Sequence, residues 1–323
     1  MTTEIRSLED IRQIYVVLNP IAGHSDVDVI RKAVDELCEL QKWTKTVYET
    51  TGAKNENVTE IARKAAQKGA DLVVAAGGDG TVSQVINGLV GTTVPLGVIP
   101  VGTGNGLARA MRIPLDPRQA VDLFAQKHML YEIDAMQVGD KYYVLNVSTG
   151  ISSRAMDETK PEDKKRFGML AYAQKIVQNV VSKNEPVLFR LKIDNHDLRI
   201  QATEVLVSNG ELIKEQPVLF GDRDSYNDGR FNVNILTAKT PGEYVRLAFD
   251  LLVDPQEPKD DLKDLNVHDH IRIESEDGPQ PVQADGEMAG ETPVEIRVKP
   301  KALRVVVPLP NEDKDGKEDQ NDK

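Results

Sequence analysis

The first half of the chain alternates short apolar runs with stretches of helical periodicity. Residues 14–18, IYVVL, are apolar and rich in β-branched side chains, which is typical of a buried strand. The stretch after them repeats apolar residues at helical spacing, at Val27, Ile30, Val34, Leu37 and Cys38. The same alternation predicts strands at 44–50, 71–78 and 95–100, and helices at about 56–67, at 82–89 and up to about 110. Strands that alternate with helices in this way predict a parallel sheet flanked by helices.

The pattern changes near residue 131, where short strand-like runs begin to follow one another. They are separated by Gly, Asp, Asn and Pro, and they lie at 131–139, 141–150, 186–194, 196–210, 229–238, 268–276, 292–300 and 302–308. Runs of this length and spacing predict a mostly antiparallel β-sandwich. Two helices are expected to interrupt it, at about 164–182 and 241–251. The first has an apolar stripe that we expect to pack on its own sheet, and contact with anionic lipid is the alternative.

This change of pattern predicts two domains and a tail. We expect an α/β domain over residues 1–134 and a β-rich domain over residues 135–308, whose final strands could return to the first domain. Residues 309–323 are rich in Asp, Glu and Lys, which is typical of an acidic disordered tail. The cleft between the two domains is the first place to expect a ligand.

Charge and composition exclude several classes of protein. The net charge of −12 argues against a nucleic-acid partner, because such proteins neutralise phosphates with basic side chains. No apolar run is long enough to span a bilayer, and the N-terminus lacks the basic-then-apolar order of a signal peptide. The single cysteine, Cys38, excludes an internal disulfide framework and a cysteine-rich zinc site. We therefore expect a cytoplasmic protein.

Three candidate loops that contain glycine follow predicted strands and precede predicted helices. They lie at residues 19–23, 77–81 and 102–105, so a parallel sheet would gather them along one edge. Glycine lets a phosphate approach backbone N–H groups, and a helix N-terminus favours an anion. Glycine used only for turn geometry is the alternative for each loop taken singly. Three loops on one edge favour a phosphate or nucleotide site, although neither a Walker A loop nor a Rossmann fingerprint is present.

These loops also carry a family resemblance. NPIAG, GGDGTVSQVINGL and IPVGTGNGLAR, in this order, resemble the diacylglycerol-kinase catalytic family, which includes sphingosine kinases and bacterial lipid kinases. GGDGT alone is less specific, because NAD kinases share it. The resemblance continues through IDAMQVGDKYYVLNVSTG, FGMLAYAQK, VSNG, NDGRFNVNIL and VQADGEMAG, and it covers about residues 14–308.

The resemblance implies ATP-dependent phosphorylation of a lipid hydroxyl in the interdomain cleft, with ATP and Mg²⁺ as cofactors. The β-rich domain would take the lipid, reached by peripheral contact at the inner face of a membrane. Asp79 would help to organise Mg²⁺ and the triphosphate, and helix N-capping or an Asx-turn is its alternative role. The implied nucleotide-binding residues are Asn19, Pro20, Gly23, Thr50 (or Thr51), Gly77, Gly78, Asp79, Gly80, Thr81, Gln84, Gly102, Thr103, Gly104 and Asn105.

Two further sites follow from the resemblance. In Asp285-Gly286-Glu287 it implies the carboxylate that takes the proton from the acceptor hydroxyl; Glu287 is our first choice as base and Asp285 the second choice or its partner. In DSYNDGRF it implies a structural magnesium held by Asp228 and by the carbonyls of Ser225 and Arg230, with Asp134 in the same network. A plain turn is the alternative at both places, because Asp-Gly is a strong turn dipeptide.

The sequence departs from the bacterial family pattern at two positions. Gln84 stands where a glutamate is usual, and Gly106 follows Asn105 where an aspartate is usual. Two acidic groups near the nucleotide are thus replaced by neutral ones. An NAD kinase-like or other soluble-substrate kinase, or a nucleotide-binding regulator without catalysis, are therefore the alternative functions. The identity of the lipid and the presence of a homodimer are left open.

Overall fold

The computed structural model describes residues 4–6, 11–21, 27–53, 55–157, 185–210, 223–240, 242–244, 246 and 260–309. The predicted helix at 164–182, the tail from residue 310 and Gly23 lie outside these residues. Of the predicted helix at 241–251, residues 242–244 and 246 are described and are helical.

The helices in the described part of the chain are α1 Val27–Gln41, α2 Val58–Gln67, α3 Asp79–Leu89, α4 Gly106–Ala110, α5 Pro117–Ala125 and α6 Ile151–Asp157. The strands of the first half are β1 Glu4–Arg6, β2 Gln13–Leu18, β3 Thr44–Glu49, β4 Leu72–Gly77 and β5 Leu96–Pro100. Those that follow are β6 His128–Val138, β7 Lys141–Tyr143, β8 Asn146–Gly150, β9 Val187–Ile193, β10 His196–Ala202, β11 Glu204–Ser208, β12 Phe231–Leu236, β13 Leu262–Val267, β14 His270–Ser275, β15 Pro281–Ala284, β16 Glu287–Glu291 and β17 Val294–Pro308.

A parallel sheet in the order β5-β4-β2-β3 forms the centre of the first half. Every residue of β4 and β5 is buried, as expected for strands covered by helices on both faces. The predicted α/β domain with a parallel sheet is confirmed.

A second sheet, in the order β13-β12-β11-β8-β15-β16, is antiparallel throughout. Its inner face packs against the inner faces of β9 and β14, with a core that includes Val147, Phe189, Phe231 and Ile273. The side chains of β9 alternate between buried and exposed, which is the pattern of a strand with one solvated face. The predicted C-terminal β-sandwich is confirmed.

Strand β17 connects the two halves. It pairs antiparallel with β14 and β6, and at Val305 it pairs parallel with β5, so one sheet of eleven strands runs through both halves. A bulge between Lys299 and Leu303 interrupts its pairing with β6. The sequence predicted two strands here, because the irregular segment between them resembles a turn.

Helix α5 was not predicted, although its start follows familiar rules. The side chain of Asp116 accepts a hydrogen bond from the N–H of Gln119 at 2.9 Å, and Pro117 occupies the first turn. Phe124 then packs on Gly97 of β5, where a Cβ would lie 2.8 Å from the ring. The short elements β1, β13 and α6 were also missed.

The contact between α2 and α3 generates a stability prediction. A Cβ built on Gly88 would lie 2.5 Å from the carbonyl oxygen of Thr59 and 2.7 Å from the Cβ of Ala62. Because one of these atoms belongs to the backbone, we expect Gly88→Ala to lower the free energy of unfolding by about 1–3 kcal/mol, measured by urea denaturation.

The matched control is Gly242→Ala, where the nearest atom to the new Cβ is Thr240 Oγ1 at 4.0 Å. This variant should be neutral or slightly more stable, because alanine favours helix. Equal stability of the two variants would contradict the close packing of α2 on α3.

Candidate active site

The carboxyl ends of β4 and β5 bring two glycine-rich loops into direct contact. The strands pair in parallel, with Gly77 opposite Pro100. A Cβ built on Gly102 would lie only 2.8 Å from the Cα of Gly78. The two loops therefore touch backbone to backbone, and a side chain at Gly102 would separate them.

Asp79 fixes this arrangement through its carboxylate. Its Oδ2 accepts the N–H of Asn105 at 2.9 Å, and its Oδ1 accepts the N–H of Gly106 at 2.7 Å. Asp79 is the first residue of α3, and Gly78 is the N-cap of that helix without a side-chain bond. The carboxylate thus caps the start of α4. Asp79 therefore does not cap its own helix, whose N-cap is Gly78; its carboxylate acts on the neighbouring helix.

Asn105 closes the second loop on itself. Its backbone is left-handed, with φ 52°. Its side-chain oxygen accepts the N–H of Gly102 at 2.9 Å, and its side-chain nitrogen donates to the Gly102 carbonyl at 2.7 Å. Arg109 adds a bond from Nε to the carbonyl of Gly104 at 2.9 Å. The loop is therefore held before any ligand binds.

The first turn of α3 offers hydrogen-bond donors at the glycine edge. The N–H groups of Thr81 and Val82 donate to the Gly78 carbonyl. Within the described residues, the N–H groups of Asp79 and Gly80 have no acceptor. Free N–H groups and the positive end of a helix dipole are what a phosphate binds. The edge therefore fits the phosphates of a nucleotide.

Asn19 joins the first loop to this edge. Its side-chain nitrogen donates to Thr81 Oγ1 at 3.1 Å, and its side-chain oxygen accepts the N–H of Ile21 at 3.1 Å. Pro20 follows it, half-buried. Thr50 directly follows β3, and its N–H donates to the carbonyl of Leu18 at 2.8 Å. The structure thus brings these predicted residues together.

The predicted residues Thr103 and Gln84 are both exposed. Thr103 lies at the tip of the second loop, beside Gly104. Gln84 lies on the outer side of α3, and the hydroxyl of Thr59 donates to its backbone carbonyl at 3.0 Å.

Asp285 and Gly286 form the turn between β15 and β16, with φ of 46° and 84°. The predicted hairpin turn is confirmed. The Asp285 carboxylate accepts the N–H groups of Val144, Leu145 and Asn146 at 2.8–2.9 Å. It thereby fixes the backbone that leads into β8.

Burial raises the pKa of Asp285 to about 6, although the three N–H bonds oppose this rise, and the negative charge of Asp79 adds to it. The influence of Asp79 shows that the DGE turn and the GGDGT turn are neighbours.

Glu287 makes the closest approach between these two turns. It is exposed at the start of β16, and its Oε1 would lie 3.0 Å from a Cβ built on Gly80. Burial raises the pKa of nearby Tyr143 to about 12, and the charges of Asp285 and Glu287 contribute to the shift. The structure therefore places an exposed carboxylate over the first turn of α3.

Around the loop at 223–230, the carboxylates predicted to bind magnesium are bonded to protein groups instead. The Asp228 carboxylate bonds to the Arg230 side chain at 2.7 Å and to the Arg230 N–H at 3.1 Å. Asp134 is buried, and its two oxygens accept the N–H groups of Lys301 and Gly229, each at 2.7 Å.

Burial raises the pKa of Asp134, and the nearby charge of Asp228 contributes. The oxygen donors suit magnesium, but an ion there would have to displace the Arg230 side chain from Asp228. In the described residues no cluster of three His, Cys, Asp or Glu could hold a metal. The structural magnesium stays a prediction.

Asn87 is a positioning residue that the sequence reading missed. It lies on α3, and its side chain accepts the N–H of Tyr142 at 2.8 Å and donates to the Tyr142 carbonyl at 2.9 Å. It also donates to the carbonyl of Ser83. This pair of bonds attaches the phosphate-edge helix to β7. The sequence carries no signal for this contact, because Asn87 follows Ser83 and Gln84 on the polar face of α3.

Comparison with known proteins agrees with this geometry. Residues 13–138 match the family described as "Diacylglycerol kinase catalytic domain". Residues 145–307 match the family described as "YegS C-terminal NAD kinase beta sandwich-like domain". The chain belongs to the diacylglycerol kinase family. Membership supports a phosphotransferase of the lipid kinase type.

Relatives of this family member match more than nine tenths of its length. A protein named diacylglycerol kinase from Bacillus subtilis is 28% identical over 299 residues, covering 91% of this chain and 95% of its own. Another of that name, from Mycobacterium tuberculosis, is 26% identical over 322 residues, covering 93% and 96%. A crystal structure of a diacylglycerol kinase from Bacillus anthracis has a TM-score of 0.73 at 21% identity, covering 92% and 98%, which shows the same fold.

The three backbone hydrogen bonds that the Asp285 carboxylate accepts lead to a prediction about how the stability of this kinase-family chain depends on pH. Asp285→Asn replaces one carboxylate oxygen by an NH₂ group, which cannot accept a hydrogen bond, so at least one backbone N–H loses its acceptor. We expect this to lower the free energy of unfolding by about 1–3 kcal/mol at pH 7.5. The pKa of Asp285 is about 6 in the folded state, above the 3.8 that is ordinary for an aspartate, so the folded state takes up this proton first as pH falls. Wild type should therefore gain stability relative to the variant between about pH 7 and pH 4.

Urea denaturation of both proteins at several pH values measures this difference, in which the other titrating groups cancel. A difference that shrinks as the pH falls would contradict the assignment.

Proposed function

We propose that the protein is an ATP-dependent lipid kinase that transfers the γ-phosphate of ATP to a lipid hydroxyl in the interdomain cleft. The observation that carries this proposal is the position of Glu287, whose carboxylate lies over Gly80 at the start of α3. A proton acceptor and an anion-binding backbone therefore face one another. Phosphoryl transfer requires this combination of positioned nucleophile and stabilised phosphate.

The residues divide the work as follows. Backbone N–H groups at Asp79 and Gly80, with the dipole of α3, bind phosphate oxygens. The Asp79 carboxylate keeps the second loop beside them. Glu287 accepts the proton of the lipid hydroxyl as that oxygen attacks. Magnesium, when bound with the nucleotide, would supply neutralisation of the phosphate charge.

Glu287 is preferred over Asp285 as base because of what each carboxylate already bonds. Asp285 accepts three backbone N–H groups, so a substrate hydroxyl would compete with them. Glu287 is exposed. Asp285 then acts as a positioning residue that fixes the turn carrying Glu287.

The two departures from the family pattern are compatible with catalysis. A Cβ on Gly106 would lie 2.6 Å from the Leu145 side chain, so the space of the usual aspartate is occupied by Leu145. Gln84 is exposed on α3, one helical turn after Gly80, and carries an amide where a carboxylate is usual. The backbone N–H groups of the phosphate edge do not depend on either side chain. This favours an active kinase over a regulator without catalysis.

We further propose that the acceptor lipid is reached at a membrane surface by peripheral contact. Among the helices that the structure describes, none has both the length and the apolarity needed to cross a bilayer. A lipid acceptor in the interdomain cleft would have to enter from the surface of the membrane.

The base assignment is tested with Glu287→Gln. Phosphate transfer from labelled ATP to lipids in detergent micelles should fall by about 10²- to 10⁴-fold in kcat, because the proton acceptor is lost. Glu291→Gln, at the other end of β16, is the matched control and should retain activity. Unchanged transfer by Glu287→Gln would reject the base. Phosphorylation of NAD without any lipid would favour a soluble-substrate kinase, and ATP binding without turnover would favour a regulator.

The nucleotide edge is tested with Gly104→Ala. The new Cβ would lie 2.5 Å from Asp79 Oδ2 and would displace the carboxylate from the loop. We expect the affinity for ATP, measured by calorimetry, to fall by about tenfold or more, a loss of about 1.4 kcal/mol. Gly242→Ala serves as control and should bind normally. Normal ATP binding by Gly104→Ala would place the nucleotide elsewhere.

A further inference from the structure

The segment that joins β7 to β8 is bonded to elements on both sides of the proposed active site. It comprises residues 142–146 and is called the connecting segment below. Tyr142 lies at its start, in β7, and Asn146 at its end, in β8. The side chain of Leu145 reaches the start of α4, where its Cδ1 would lie 2.6 Å from a Cβ built on Gly106. The connecting segment therefore touches the helix that follows the second glycine-rich loop.

On one side, Asn87 of α3 holds the connecting segment through its carboxamide. Its Oδ1 accepts the N–H of Tyr142 at 2.8 Å, and its Nδ2 donates to the carbonyl of Tyr142 at 2.9 Å. Nδ2 also donates to the carbonyl of Ser83 at 2.9 Å, one turn back along α3. Asn87 thus pairs with both backbone groups of Tyr142, as a residue of a neighbouring strand would.

On the other side, the DGE turn holds the same segment through Asp285. Its carboxylate accepts three consecutive N–H groups, those of residues 144–146, at 2.8–2.9 Å. The N–H of Asp285 also donates to the carbonyl of Asn146 at 3.0 Å. A single residue, Tyr143, separates these bonds from those that hold Tyr142. The turn that carries Glu287 is therefore fixed to the connecting segment by four hydrogen bonds.

The periodicity of α3 places its two contacts with this side of the site on one face of the helix. Gly80 and Asn87 are seven residues apart, which is about two turns and about 10 Å along the axis. Residues at this spacing lie on the same face of a helix. A Cβ built on Gly80 would lie 3.0 Å from Glu287 Oε1. One face of α3 therefore meets the proposed base in its first turn and the connecting segment two turns later.

These contacts form a closed path. It runs from Asn87 through the connecting segment to Asp285, two residues along the chain to Glu287, and back to Gly80 of α3. Each step is a set of two or more hydrogen bonds or a very short piece of chain. A shift at Asn87 therefore has little freedom to be absorbed before it reaches Glu287.

We propose that Asn87 is a positioning residue for phosphoryl transfer, which sets the distance between the Glu287 carboxylate and the phosphate edge. This rests on the proposed function, in which Glu287 is the base. Asn87 acts through the connecting segment and contacts neither substrate. The rate of transfer depends steeply on this distance, because a misplacement of about 1 Å can cost about 10²-fold.

The kinetic test uses Asn87→Ala, alone and combined with Glu287→Gln. Alone, it should lower kcat for lipid phosphorylation by about tenfold to a hundredfold. The Kd for ATP should change by less than about twofold, because the N–H groups at the start of α3 remain. In the Glu287→Gln background the same substitution should cost less than about twofold in kcat, since no base is left to position. Asn195→Ala, in the exposed turn between β9 and β10, is the matched control and should retain activity.

Two kinetic results would overturn the proposal. One is an equal loss of kcat in the presence and absence of Glu287, because Asn87 would then act by another route. The other is a weaker affinity for ATP with unchanged kcat, which would place its effect on the nucleotide. If thermal unfolding shows that Asn87→Ala fails to fold, Asn87→Ser, which keeps a hydroxyl at this position, carries the comparison.

Amide hydrogen exchange tests the connection without any kinase activity. In Asn87→Ala the N–H groups of residues 144–146 should exchange about tenfold or more faster than in wild type, because exchange follows local opening. The amides of β12 are the internal control and should not change. Unchanged exchange at residues 144–146, in a protein that phosphorylates lipid, would overturn this proposal alone. Faster exchange in a protein that phosphorylates no lipid would reject the proposed function, and this role of Asn87 with it.

Discussion

The active-site edge depends on one carboxylate that binds backbone. Asp79 begins α3, yet both its oxygens bond to the start of α4, so the ends of two strands are held in one geometry. This is possible only because the facing positions lack side chains, with Gly78 and Gly102 in contact and Gly104 against the carboxylate. The glycines and the aspartate therefore depend on one another, because the carboxylate can bind the second loop only where no side chain intervenes. The effect is to hold the second loop beside the free N–H groups at the start of α3 before a ligand arrives.

Asp285 acts in the same way on the opposite side of the cleft. It is an acid surrounded by protein, its carboxylate is bound to three consecutive N–H groups, and its ionisation is made unfavourable by burial. The folded state accepts that cost because three backbone donors gain an acceptor. In both turns, therefore, an aspartate serves to hold backbone N–H groups in place. The glutamate two residues further on is left with its carboxylate exposed.

Local patterns were enough to predict the fold class and the gathering of the loops. Periodicity located the parallel strands, and parallel pairing requires their carboxyl ends to share an edge. The bulge at residues 299–303 was predicted as a break between two strands. In the structure Asp134, which is distant in sequence, stabilises the bulge by accepting the N–H of Lys301. The clamp of Asn87 on Tyr142 was also beyond prediction. Such features depend on which distant groups meet, and no spacing along the chain encodes that.

The continuity of β17 through both halves limits how the cleft can change shape. Its fifteen residues pair with β14 at one end and with β5 at the other, while β6 follows nearly its whole length. Swinging the halves apart as rigid bodies would break the backbone hydrogen bonds that β17 makes on both sides of its bulge. A hinge between the halves would therefore be costly, and a change of shape at one end of β17 is passed to the other through the same strand.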